Sequence, residues 1–170
     1  MTLVVEDGTG LTNAESYASV SEADTYFTAR SNPAAWSGLT DDDKERHLRL
    51  ATQYLDLHYG GRWKGQRRLE EQALDWPRYD AEDRDGYDID FDVVPVRLKH
   101  ATIEAALRSV SDGLMPDLAD PGAVKNSRVK VDVIEIATEY TSGNKPTPTY
   151  PIIDNLIFDL VYPGNAFIRA

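Results

Sequence analysis

The residues best equipped for chemistry lie in Arg62–Arg78, RWKGQRRLEEQALDWPR, which holds two of the three tryptophans and four arginines. Guanidinium groups stack on aromatic faces and fork onto carboxylates or phosphates, and an indole is a large anchor whose N–H needs a partner once buried. Gly60, Gly61 and Gly65 let the chain turn on both sides of Trp63. Two readings follow. In one, the stretch from Arg62 to Arg78 is a helix–turn–helix corner that Trp63 and Trp76 pin into the core. In the other, Arg62, Lys64, Arg67 and Arg68 form a recognition surface with Trp63 as a stacking platform. The residue types favour the first.

No other constellation has the spacing of a catalytic centre. The chain lacks a Gly-x-Ser-x-Gly elbow, a His-Glu-x-x-His pair and a phosphate-cradling glycine loop ending in Lys-Ser or Lys-Thr. It has no cysteine, which removes disulfides, thiolate metal sites and thiol nucleophiles. Tyr79–Asp92 carries seven carboxylates and one arginine. Asp83-x-Asp85-Gly86 has the middle of a calcium loop, but Ala81 occupies the first ligand position and no glutamate closes it. His47, His58 and His100 read as ordinary polar or core histidines, since none has a second ligand at helical spacing. The expectation is a non-enzyme without metal or cofactor, and a flexible acidic loop over 80–92.

The net charge is −11 with a pI near 4.6, which argues against a general nucleic-acid binder and suits a surface that DNA must not stick to. No signal peptide opens the chain, and no apolar run approaches the roughly 18 residues that span a membrane, so a soluble intracellular origin is expected.

The elements that position the corner follow from periodicity and caps. Residues 3–5 read as a short strand or arm. Ser21 and the acids after it predict a helix that buries Ala23, Tyr26 and Phe27 and stops by Asn32-Pro33. Thr40 before Asp41, Asp42 and Asp43 starts a stronger helix with Leu48, Ala51, Leu55 and Tyr59 on one face, ended by Gly60-Gly61. Leu69–Trp76 predicts a short helix. Val94-Pro95 opens another, with Val96, His100, Ile103, Leu107 and Val110 in one stripe widened by Ala101, Ala105 and Ala106. Arg128–Tyr140 reads as a strand whose alternation changes phase, by a bulge or by swapping faces. Thr141–Pro151 is a linker or long hairpin loop. Ile153, Leu156, Ile157, Leu160 and Val161 form a C-terminal helix broken by Pro163-Gly164. The fold class is mainly α: a small helical bundle with an extended β-strand or hairpin arm, then a C-terminal helix plus tail. The chain reads as a single domain, with a helical core over about 12–115, an arm over about 124–150 and the last helix and tail over about 151–170.

Several strings together resemble a known family. They are Ser16–Phe27 (SYASVSEADTYF), Ala51–Asp56 (ATQYLD), Tyr59–Arg67 (YGGRWKGQR), Gln72–Arg78 (QALDWPR) and Asp85-Gly86, followed by the Ala-, Glu- and Leu-rich helix after Val94-Pro95. Over roughly 12–112 the chain resembles phage-encoded proteins labelled DnaT-like single-stranded-DNA-binding, many of which look like head–tail adaptor (connector or head-completion) proteins. The resemblance implies a virion protein of the neck, made in the bacterial host cytoplasm. It would form a homo-oligomeric ring, twelve-fold in that class, under the portal. Its partners would be the portal protein, a tail stopper or terminator, and DNA passing through the lumen without sequence-specific binding; no membrane is involved. Pro163, Gly164, Asn165, Ala166, Phe167, Ile168, Arg169 and Ala170 would dock on the portal, since an apolar Phe-Ile pair is unusual in a frayed end. The alternative is a single-stranded-DNA-binding protein of phage replication that uses Arg62, Trp63, Lys64, Arg67 and Arg68.

Overall fold

Ser19 accepts a hydrogen bond from the Glu22 N–H while the Glu22 carboxylate accepts from the Ser19 N–H, a capping box that starts helix α1, Val20–Thr28. The cap is therefore Ser19, not Ser21: the glutamate three residues on selects between the two serines. The architecture comes from a computed structural model, which describes residues 2–111, 113–115, 123–130, 135–141 and 149–163. The chain divides into two compact units, Met1–Leu114 with Tyr150–Ala170, and Met115–Thr149.

In the first unit α1 buries Ala23, Tyr26 and Phe27, as the sequence predicts. A single-turn helix α2, Ala34–Ser37, places Trp36 in the core, where its indole N–H donates to Asp24 at 2.7 Å. Asp24 also holds the buried Lys44 ammonium at 2.9 Å, so the cation is paired where burial alone would be costly. Helix α3, Asp41–Tyr59, starts at Thr40, whose hydroxyl accepts the Asp43 N–H, with three acids at the positive end of the helix dipole. Leu48, Ala51, Leu55 and Tyr59 are all buried.

Two short strands follow, β1 Gln66–Arg67 and β2 Arg78–Tyr79, paired antiparallel with Arg67 opposite Arg78. Leu69–Trp76 is not the expected helix but a turn connecting them. The buried Gln72 amide determines this: its oxygen accepts the Leu69 N–H at 2.9 Å, and its nitrogen donates to the Leu74 and Pro77 carbonyls. The Ala73 N–H meanwhile bonds to the Leu11 carbonyl instead of a helical partner.

Helix α4, Val96–Ser111, packs against α1, α2, α3 and the C-terminal helix α5, Pro151–Ile157. Its buried face is Leu98, Ala101, Thr102, Ile103, Ala105 and Ala106. The predicted stripe is thus half wrong: Ile103 is buried, but Val96 is 64 % exposed, and His100, Leu107 and Val110 are only half-buried. The small residues expected to widen the stripe, Ala101, Ala105 and Ala106, are all buried, where they allow the neighbouring helices a close approach. α5 starts with Pro151 in its first turn and continues as a 3₁₀ turn, Phe158–Leu160; Ile153, Ile157, Leu160 and Val161 are buried.

The second unit contains an antiparallel hairpin, β3 Ala123–Lys130 with β4 Glu135–Thr141, in register from Ala123–Thr141 to Lys130–Glu135. The single strand expected over Arg128–Tyr140 is instead parts of two antiparallel strands; the expected change of phase at Val133–Ile134 lies outside the described residues, and one irregularity separates Val124 from Asn126. Among the described residues the protein is mainly helical, with five α-helices and this hairpin. No described helix is long and apolar enough to cross a membrane.

Candidate functional site

The corner is built around its tryptophans. Trp63 is 3 % exposed and Trp76 fully buried; their rings meet edge to face, with centroids 6.1 Å apart. The Trp63 N–H donates to the Asp75 carboxylate at 3.1 Å, and the Trp63 backbone bridges to Val161 beyond α5. Trp76 Nε1 is buried without a hydrogen-bond partner. Neither ring can serve as a platform for a nucleic-acid base.

Arg78 supplies the lock. Its guanidinium donates to the Lys64 and Gly65 carbonyls, each at 2.7 Å, and to the Asp75 carbonyl at 3.0 Å. It thus ties both ends of the turn together, and burial lowers its pKa. Burial also raises the Asp75 carboxyl, which the charge of Arg78 partly offsets. Gly65 sits at φ +70°, and a Cβ there would fall 2.0 Å from the Tyr79 carbonyl oxygen. Gly65→Ala is therefore expected to destabilise the fold by about 1–3 kcal/mol, from positive φ and the clash together. Urea denaturation checks it, and the same change at the unobstructed Gly61 should cost far less.

The remaining cations are half-buried, or exposed in the case of Arg67, and contact the chain itself. Arg68 donates to the Gly8 carbonyl at 2.6 Å and lies over Phe91 at 5.2 Å. Arg67 reaches the Gln72 carbonyl at 3.5 Å and Lys64 the Glu82 carbonyl at 3.1 Å. Arg62 stacks over Tyr59 at 4.9 Å. The structure thus gathers Arg62, Trp63, Lys64, Arg67, Arg68, Trp76 and Arg78 into one corner, whose cations chiefly serve backbone carbonyls and rings of the chain itself.

The acidic segment is held in place. Asp83 accepts the Asp85 and Tyr87 N–H groups through its carboxylate, and Ile89 N–H bonds to the Ala81 carbonyl at 2.8 Å. Those backbone bonds keep the Asp83 carboxyl below its usual range. Phe91 leans on Tyr79, with ring centroids 4.9 Å apart. No cluster of three metal-ligating side chains occurs among the described residues. His47 Nδ1 meets the Ser109 hydroxyl at 2.8 Å, His58 stacks on Tyr54, and His100 packs on Tyr26.

Sequence reasoning missed two supports. Glu6 is 1 % exposed, and its carboxylate accepts the N–H groups of Gly8, Gly10 and Leu11, shaping the loop on which Arg68 lands. Asp56 on α3 accepts the Tyr17 hydroxyl at 2.5 Å and the Asp75 backbone N–H at 3.3 Å, and the Tyr17 oxygen in turn accepts the backbone N–H of Trp76. Of the expected docking tail, Pro163 is exposed, while Gly164, Asn165, Ala166, Phe167, Ile168, Arg169 and Ala170 lie outside the described residues.

A family model described as "Putative DnaT-like ssDNA binding protein" matches residues 1–170. The chain belongs to that family. The description names single-stranded DNA and says nothing of a phage neck. No curated protein and no solved structure matches the chain.

Proposed function

We propose that this family member is a structural neck protein, a head–tail adaptor that forms a ring under the portal. It joins the portal to a tail stopper or terminator, needs no cofactor or catalytic residue, and lets DNA pass without sequence-specific contact. In this reading it is made in the host cytoplasm and works in the virion. One observation carries the choice of a structural role: both tryptophans of the corner are buried, and Arg67, Arg68 and Arg78 donate to carbonyls of the chain itself. A single-strand site needs exposed rings beside a cationic track. A chain of charge −11 also repels a polyanion. The neck assignment rests on the family resemblance of the strings around Trp63 and Trp76.

The test is particle mass and shape, by mass photometry and negative-stain imaging, of the protein alone and with its phage's portal protein. A closed ring, or a monomer that joins the portal and loses this on deletion of 163–170, is the expected result. A small species that ignores the portal overturns it.

The family description favours a second reading, single-stranded-DNA binding in replication. It predicts binding to oligothymidylate that weakens with salt at a log–log slope of about −0.7 per phosphate contacted. With Arg67 and Arg68 engaged internally, Arg67→Ala with Arg68→Ala is expected to leave any such binding within about twofold. A loss of tenfold or more in fluorescence anisotropy would restore the corner as a DNA site.

A further inference from the structure

On the face where α5 and its 3₁₀ turn meet Arg62–Lys64, the first unit has a groove of about 430 Å³. Its buried lining residues are Tyr59, Ile157 and Val161, while Phe158, 61 % exposed, and Tyr162 stand at its side. Arg62, Lys64 and Arg84 line it too, with Asp154 the one carboxylate among the lining residues. Asp154 is already engaged, accepting the Tyr59 hydroxyl at 2.5 Å. Arg62 has no ion pair among the described residues, and Arg84 meets only Asp85, at 3.7 Å with both side chains well exposed, so that pair is weak. A chain of net charge −11 thus gathers three cations around an apolar slot.

We infer that this groove docks an acidic peptide segment that carries one large apolar side chain and belongs to a partner protein. The carboxylates would meet Arg62, Lys64 and Arg84, and the apolar side chain would enter the slot above Ile157 and Val161. Charge complementarity with an anionic partner supplies orientation, and the burial of one apolar side chain supplies most of the affinity. A nucleic-acid strand fits less well. Its phosphates need a cationic track beyond the groove, whereas Arg84 is flanked by Glu82, Asp83, Asp85 and Asp88. On the neck reading the segment would come from a neighbouring neck component. That attribution rests on the proposed function, whereas the docking itself does not.

The test titrates ¹⁵N-labelled full-length protein with the blocked peptide Asp-Glu-Leu-Phe-Asp-Glu, a version with lysines in place of its acids, and a six-nucleotide oligothymidylate. Shifts at Lys64, Phe158 and Tyr162 with the acidic peptide are expected, and none with the lysine version. Arg62→Glu with Arg84→Glu should weaken binding at least tenfold. Phe158→Ser, at an exposed position that the fold does not need, should weaken it at least threefold with an unchanged spectrum elsewhere. Equal shifts with the lysine peptide, no shifts at all, or tighter groove binding by oligothymidylate would each overturn the inference. So would concentration-dependent broadening of the groove signals without peptide, which would mark a second copy as the occupant. Peptide binding without ring or portal contact would sink the neck reading alone, and a ring without peptide binding would sink the groove alone.

Discussion

Replacing Trp76 with alanine is expected to cost about 3–5 kcal/mol of folding stability, the range for deleting a fully buried large aromatic. The indole has no exposed surface, packs edge to face on Trp63, and lies in the turn that Arg78 and Gln72 hold shut. Trp76→Phe should cost markedly less than the alanine change. Its Nε1 is buried without a partner, so phenylalanine removes an unsatisfied donor while it loses volume. Arg62→Ala, which ends a ring-stacking contact on the groove, should stay near 0.5 kcal/mol. Urea unfolding by far-UV circular dichroism, at constant slope, gives all three values. If Trp76→Ala cost under 1 kcal/mol, the corner would not be a core element and its tryptophan would be free for recognition.

Local signals were legible where a side chain bonds within its own turn. Thr40 with three following aspartates gives the start of α3 directly, and Pro151 marks that of α5. The start of α1 was readable too, but only by weighing Glu22, which selects Ser19 over Ser21 as the cap. The Leu69–Trp76 turn was not readable. Leu-Glu-Glu-Gln-Ala-Leu has helical propensity, and what overrides it is the Gln72 amide closing on Pro77 together with a bond from Ala73 to the distant Leu11. Helix α4 differs again: Ala101, Ala105 and Ala106 are buried as the spacing predicts, while Val96, at the start of the stripe, stands in solvent. The corner's chemistry was visible as a cluster of residue types, yet its sense was not. Whether an arginine faces a phosphate or a carbonyl of its own chain depends on Gly8, Gly65 and Gln72, each brought there by the fold. The cationic groove was hidden for the same reason, since Arg62, Arg84 and α5 are far apart in sequence.

The largest pH effect should come from Asp56. Burial pushes its carboxyl up from 3.8 to about 7, against the hydrogen bond from Tyr17, and the nearby Asp75 charge raises it further. The folded state therefore holds a proton between about pH 4 and 7 that the unfolded chain has released. Unfolding in that window releases a proton, so stability falls as pH rises, by at most about 1.4 kcal/mol per pH unit from this group. The contribution is fully present below pH 4 and lost once pH passes the folded value near 7. Asp75 is shifted the same way, whereas hydrogen-bonded Glu15 and Asp43, both lowered, oppose the trend as pH falls. The informative quantity is thus the difference between the wild type and Asp56→Asn, which keeps the side-chain shape and stays neutral. Urea midpoints at pH 5, 6, 7 and 8 should show Asp56→Asn gaining on the wild type steadily with pH and overtaking it at the alkaline end. Parallel pH profiles would mean that Asp56 is ionised in the folded state throughout, with water reaching it beside Tyr17. The joint between α3 and the tryptophan corner would then be wetter than the hydrogen bonds linking Tyr17, Asp56, Asp75 and Trp76 imply.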